Sequence, residues 1–221
     1  MGTITRNAAN NFTTGGVILP AAINDTSVAS ISELENAAAG GALTLISEQT
    51  ASSSASIEFT SGIDSTYPIY KFEFINIQPS FDGASFQFNL STDSGSNYNV
   101  TKTTTVFQAY HTESDSATGL LYRTDIDLAQ STSYQNVIGH DVGADADQSA
   151  SGYLHLFNPS STTFVKHFIS NSNSVTNGDY SNNSFYAGYG NTTSAINAIS
   201  FKFETGNIDS GTIKLYGISG S

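Results

Sequence analysis

The chain of 221 residues carries a formal net charge of −12, from seven Lys and Arg residues against 19 Asp and Glu residues. A phosphate backbone or an anionic membrane surface attracts clustered cations, so this charge argues against nucleic acid and membrane partners. The absence of cysteine excludes disulfide bonds and thiolate metal sites.

The composition is apolar enough for a core but contains few charges. Hydrophobic residues make up 38% of the chain, aromatic residues 11% and charged residues 12%. Aromatic rings would then fill much of the core while Ser, Thr, Asn and Gly hydrate the surface, a balance typical of exposed all-β proteins. No apolar run is long enough for membrane insertion, and Met1–Gly16 lacks the basic start and apolar run of a secretory signal peptide.

The first 41 residues predict an extended arm followed by one short helix. The arm, Gly2–Ile23, is polar except for one apolar cluster, and an unstructured terminus is the alternative interpretation. The helix, within Asn24–Ala39, has apolar residues three apart and the capping-box spacing of Ser30 and Glu33. The apolar side chains of both segments are the predicted anchoring and oligomerisation contacts: Val17, Ile18, Leu19, Val28, Ile31 and Leu34.

From residue 42 to residue 221 the pattern changes to short strands with alternating apolar and polar residues. About ten strands separated by turn signals favour two packed sheets over one open sheet. The fold predicted for this part is an all-β, antiparallel, jelly-roll-like β-sandwich. The predicted strands lie in Ala42–Ser47, Ser54–Thr60, Tyr67–Gln78, Phe86–Leu90, Thr103–His111, Gly152–Asn158, Thr162–Ser170, Ser184–Tyr189 and, as a pair, Ala195–Ile218.

Two of these regions predict antiparallel hairpins. Ala195–Ile218 contains two alternating runs joined by a loop of Gly, Asn, Asp and Ser, and the strand in Tyr67–Gln78 is joined by a turn to the strand at Phe86–Leu90. In Tyr67–Gln78 the apolar residues change face after Phe74, which indicates either a bulge near Phe74 or a strand that is buried on both sides at its end.

The least regular segment, Thr112–Ser151, contains the densest acidic cluster, Asp141, Asp145 and Asp147. A long loop of this kind is typically either functional or poorly ordered. Carboxylates suit a hard cation such as Ca²⁺, but their spacing does not match an EF-hand loop, so a hydrated acidic loop is the favoured interpretation. No cofactor is predicted.

Several tyrosines lie in loops or at strand ends, and Tyr134, Tyr153 and Tyr180 are candidates for contact with a ligand such as a sugar ring. Ordinary core and turn packing is the alternative for each of them. The four histidines lack the spacing of a zinc site, and no Gly-x-Ser-x-Gly nucleophile motif is present. The sequence therefore predicts a protein that is not an enzyme.

Five segments resemble a family of small structural proteins of tailed bacteriophages, especially marine and cyanobacterial phages. The ending Gly-Thr-Ile-Lys-Leu-Tyr-Gly is the most recognisable part of this resemblance. The segments are Leu45–Pro79, Ser94–Thr105, Gly152–Ser170, Ala187–Phe203 and Gly206–Ile218.

The resemblance implies a non-enzymatic virion protein on the exterior of the phage particle, as a capsid decoration or cement protein or as part of an appendage. It implies a jelly-roll-like sandwich, assembly as a homotrimer, and contact with other capsid or tail proteins, with residues 1–41 as the anchor. A tail-fibre-type module that binds host-surface glycan is the alternative, and a depolymerase that cleaves such a glycan with paired carboxylates is a third hypothesis. The resemblance implies no catalytic residues.

Overall fold

The computed structural model describes residues 43–219 of the chain. They form an all-β sandwich of two antiparallel sheets, as predicted, and contain no helix. The predicted arm, the predicted helix and the six apolar anchoring residues lie outside the described residues. The strands are β1 (Leu43–Thr50), β2 (Ile57–Phe59), β3 (Ile69–Pro79), β4 (Phe86–Ser91), β5 (Lys102–Thr112), β6 (Thr118–Tyr122), β7 (Gln135–Asn136), β8 (Ala150–Phe157), β9 (Lys166–Val175), β10 (Tyr180–Gly190), β11 (Ala198–Phe203) and β12 (Ile208–Ile218).

The two sheets differ in size. The large sheet has eight strands in the order β1-β12-β3-β8-β9-β10-β5-β6, and the small sheet has four strands in the order β2-β11-β4-β7. Along the chain, β1 to β4 alternate between the two sheets, and β11 and β12 do so again. The sandwich is therefore closed by connections that cross from one sheet to the other.

Both predicted hairpins are wrong for this reason. In the closing pair, β11 bonds to β2 and β4 in the small sheet, whereas β12 bonds to β1 and β3 in the large sheet. In the other pair, β3 and β4 also lie in different sheets, with the rings of Phe74 and Phe86 5.7 Å apart across the sandwich. The two strands of each predicted pair therefore lie in opposite sheets, with their apolar faces packed towards each other across the core, and they are not hydrogen-bonded neighbours.

An aromatic cluster fills the centre of the core. Phe201 of β11 is fully buried, and its ring centroid lies within 6.5 Å of five other phenylalanine rings from both sheets. Edge-to-face and tilted contacts of this kind add to the stabilisation from apolar burial. The neighbours of Phe201 are Phe59, Phe72, Phe74, Phe86 and Phe88.

The bulge predicted after Phe74 is confirmed. The register of β3 against β8 shifts between Phe74 and Ile77, and Asn76 adopts a φ of 49°. Phe74 and Ile77 are both buried although three positions separate them, because the bulge turns the chain by one residue.

The irregular segment between β6 and β8 is folded against the inner face of the large sheet. Val137 and Ile138 are fully buried, and the Val137 carbonyl accepts a hydrogen bond from Ser170 Oγ of β9. The Ile138 carbonyl accepts one from the hydroxyl of Tyr186 of β10. The predicted loop thus contains β6 and β7 and covers strands that the small sheet is too narrow to reach.

Candidate functional site

A polar cleft of about 150 Å³ lies on the inner side of β5 and β10, next to His140 and Asp141 of the irregular segment between β6 and β8. Strand side chains form one wall, and they are Gln108, Tyr110, Tyr180 and Asn182. Loop side chains form the other, and they include Arg123, His140 and Asp141. Concave sites with several convergent polar groups and aromatic walls are typical of small-molecule binding.

Strand alternation and register bring the first wall together. Residues 108 and 110 of β5 and residues 180 and 182 of β10 each point to the inner face, and Tyr110 pairs with Asn182 across the two strands. Opposite Tyr110 on β6 lies Gly119, where a Cβ would stand 2.6 Å from the Tyr110 ring. A glycine at this position leaves room for the ring, whose centroid lies 5.9 Å from that of Tyr180.

Arg123 lines the cleft and is held by three hydrogen bonds. Its guanidinium donates to both carboxylate oxygens of Asp125, at 2.8 and 2.6 Å, and to Gln108 Oε1 at 2.6 Å. The bidentate bond lowers the pKa of Asp125 to about 2 and raises the pKa of Arg123. The positive charge of Arg123 is therefore already neutralised within the chain.

Asn182 has unused hydrogen-bonding capacity. Its side chain is 3% exposed, and among the described residues its one side-chain hydrogen bond is a long contact of 3.5 Å from Ser184 Oγ to Asn182 Oδ1. Nearby on β9, the hydroxyls of Ser172 and Ser174 are buried and have no partner within residues 43–219. Buried polar groups are normally satisfied, so water is the expected partner of Ser172 and Ser174, which do not line the cleft, whereas Asn182 lines it and can bond to water or to a ligand hydroxyl group.

The three predicted aspartates do not form one site. Asp141 lines the cleft, with a φ of 62° and a contact from its carboxylate to His140 Nδ1. The backbone carbonyl of Asp145 accepts from Gln78 at 2.7 Å, and Asp147 lines a separate cavity. In the described part of the chain, no group of three or more His, Cys, Asp and Glu side chains is placed to hold a metal ion.

The three predicted tyrosines are also separated. Tyr180 lies at the cleft and Tyr134 lines a neighbouring cavity of about 300 Å³, with Lys202 Nζ 4.4 Å from its ring centroid. His140 borders both cavities. Tyr153 of β8 lies on the opposite, outer face of the large sheet, next to His155.

Sequence reasoning missed Arg123 and Asn182. One signal was present, because β9 and β10 alternate polar residues on the face that should be buried: Ser170, Ser172 and Ser174, and Asn182 and Ser184. Small polar residues at consecutive inward positions indicate a wet interior rather than an apolar core.

A second candidate site is the side of β5, β8, β9 and β10 that points away from the small sheet, and we call it the outer face. Within these four strands the only residues with a formal charge are Lys102 and Lys166, and both are fully buried on the inner side. Large apolar side chains remain exposed on this face, including Phe107, Ile169 and Phe185 at 45%, 48% and 39%. The rings of Phe107 and Phe185 are stacked with centroids 4.7 Å apart.

No protein-family model, curated protein or solved structure matches this chain. The described residues contain no helix that is long and apolar enough to cross a membrane.

Proposed function

We propose that this chain is a non-enzymatic structural protein on the exterior of a tailed-phage particle, and that it assembles with copies of itself, as a homotrimer, through the outer face. The observation that carries the proposal is the lack of charge on this face. The whole chain has a net charge of −12, yet no Asp, Glu, Lys or Arg side chain is exposed on these four strands.

This distribution suits contact between identical chains. Two strongly acidic molecules repel each other, and the repulsion is smallest where the approaching surfaces carry no charge. Interface cores are depleted in charged residues and enriched in aromatic residues, as the outer face is. Four of the five charged residues in the flanking strands β1, β3 and β12 are paired within the chain, Lys71 with Glu73 and Lys214 with Glu48, both at 3.1 Å.

The strand order supports a jelly roll. Without β5, β6, β9 and β10, the remaining eight strands take the order first, eighth, third, sixth in one sheet and second, seventh, fourth, fifth in the other. A jelly roll is an eight-stranded double sheet built from two Greek keys, and it recurs in viral capsid proteins and lectins. Fold likeness is a weak argument for function, so the role rests on the outer face and on the sequence resemblance.

The substitution Phe185→Asp is expected to dissociate the oligomer. It would place an unpaired carboxylate in the centre of the buried face and weaken association by about a hundredfold or more. Size-exclusion chromatography with light scattering measures the mass directly. The matched control is Phe81→Asp, since Phe81 is 55% exposed and lies in the turn before β4, away from the outer face. A monomeric wild-type chain, or a Phe185→Asp variant that remains trimeric, would contradict the proposal.

Removal of residues 2–41 is expected to leave a folded sandwich that no longer joins particles. The described strands contain one core cluster that spans both sheets, so folding should not depend on the removed segment. Circular dichroism tests the folding, and immunoblotting of purified particles tests incorporation. Full occupancy of particles by the shortened protein would show that the anchor lies elsewhere.

A second candidate function is host-glycan binding, with the particle attached to the cell through the polar cleft. The observation that favours it is the position of Tyr180, which is 40% exposed beside Tyr110 and a set of neutral polar side chains. Aromatic rings next to amides and hydroxyls suit the apolar and polar faces of a sugar.

A further inference from the structure

We infer that the cleft between β5, β10 and the His140–Asp141 turn binds one neutral pyranose unit, a single sugar ring with free hydroxyl groups. This inference rests on the second candidate function and names its substrate class. It is independent of assembly, because the cleft opens on the inner side of the large sheet and the outer face lies on the other side.

The size of the cleft selects one ring. Its volume is about 150 Å³, whereas pockets for drug-sized ligands begin at about 300 Å³. A cavity of about this volume holds a single six-membered ring. The cleft would therefore take a terminal or branching sugar unit rather than a length of chain.

The hydrogen-bonding groups match hydroxyls, which both donate and accept. Asn182 offers an amide whose donor capacity is unused among the described residues, and the carboxylate of Asp141 accepts. His140 contributes a ring nitrogen that is donor or acceptor according to its tautomer. A ligand that displaced water from the Asn182 amide without bonding to it would bind more weakly, because the desolvation penalty of the amide would not be offset.

The aromatic wall matches the apolar face of a pyranose. Tyr110 and Tyr180 lie at the same end of the cleft with their ring planes inclined by 39°. Such an arrangement accommodates the C–H groups of one ring face while each hydroxyl reaches water or a polar side chain.

The charges argue for a neutral ligand. Arg123 is the cation of the cleft, and its guanidinium is engaged by Asp125 and Gln108. An anionic sugar would meet the carboxylate of Asp141 without a free cation to offset it, in a chain of net charge −12. Anionic sugars should therefore be excluded.

The test is saturation-transfer NMR on the full-length protein with the methyl glycosides of glucose, galactose and mannose, and with methyl sialoside as the anionic comparison. At least one neutral glycoside should show saturable transfer with a millimolar dissociation constant, and the sialoside should show none. Tyr180→Ala should weaken binding by about tenfold or more, as expected for loss of an aromatic contact. The matched control is Tyr153→Ala, which removes a tyrosine from the outer face and should leave binding unchanged.

Amide chemical shifts of isotope-labelled wild-type protein locate the site without any substitution, and shifts at Asn182 and His140 are expected. The inference is overturned if none of the neutral glycosides binds, if the sialoside binds more tightly, or if the shifts cluster away from the cleft. Free glycosides test the cleft without the particle, so this result is separate from host adsorption. If the protein binds glycosides but its particles do not bind host glycan, the sugar site is supported and the receptor function is contradicted.

Discussion

Phe201→Ala is expected to lower the free energy of unfolding by about 3–5 kcal/mol, the largest effect of any single truncation in the sandwich. Phe201 is fully buried, and its ring touches five others contributed by β2, β3 and β4. Truncation would leave a cavity bounded by both sheets. Rigid aromatic neighbours cannot collapse into such a space without leaving their rotamers, so most of the lost contact energy should appear in stability.

Urea denaturation at one fixed protein concentration measures this effect, since an oligomer is also stabilised by mass action. The control is Phe81→Ala, a truncation of a ring that is 55% exposed, and it should change stability by no more than about 0.5 kcal/mol. A loss below about 1 kcal/mol for Phe201→Ala would show that the aromatic cluster is not the centre of the core.

The same residue shows what the sequence predicts well. Ile199, Phe201 and Phe203 alternate with polar residues, and the alternation predicts a strand because successive side chains point to opposite sides, although the structure also buries Ser200 on the polar side. It does not indicate which strand is the neighbour. A turn between β11 and β12 permits either a hairpin or a crossing to the other sheet, and burial of both apolar faces decides for the crossing.

The cleft was less predictable for a related reason. Tyr180 was identified from its setting, but Tyr110 and Asn182 meet only because β5 and β10 pair across some seventy residues of chain. No local pattern encodes that pairing. Arg123 directly follows β6, which pairs with β5, and its bond to Gln108 of β5 spans only 15 residues, so this part of the cleft is built by neighbouring strands.

Lys102 is the largest departure from what the composition suggests. The seven basic residues lie scattered in the sequence, and each would ordinarily be a solvated surface charge. Lys102 instead is fully buried, with Nζ donating to Asn89 Oδ1 at 2.5 Å and to the carbonyl of Val100 at 2.9 Å. It thereby ties β5 to β4 of the opposite sheet and to the loop that joins them.

Burial lowers the pKa of Lys102 from 10.5 to about 7. Below about pH 7 the folded chain must hold a buried ammonium, whereas the unfolded chain holds it in water. Between about pH 7 and 10 the unfolded state binds the extra proton, so the free energy of unfolding rises with pH in this window. The rise should amount to about 2–3 kcal/mol from pH 7 to pH 9.

The measurement is urea denaturation of the wild type and of Lys102→Met at about pH 6, 7, 8 and 9. Methionine fills a similar volume without charge, and Asn89 Oδ1 keeps the hydrogen bond that it accepts from the backbone N–H of Leu90. The stability of the wild type relative to Lys102→Met should therefore grow with pH, because the substitution removes the titrating group and leaves Lys166 in both proteins. Parallel profiles for the two proteins would mean that the Lys102 ammonium reaches water in the folded state, and the bridge between β4 and β5 would then be open to solvent.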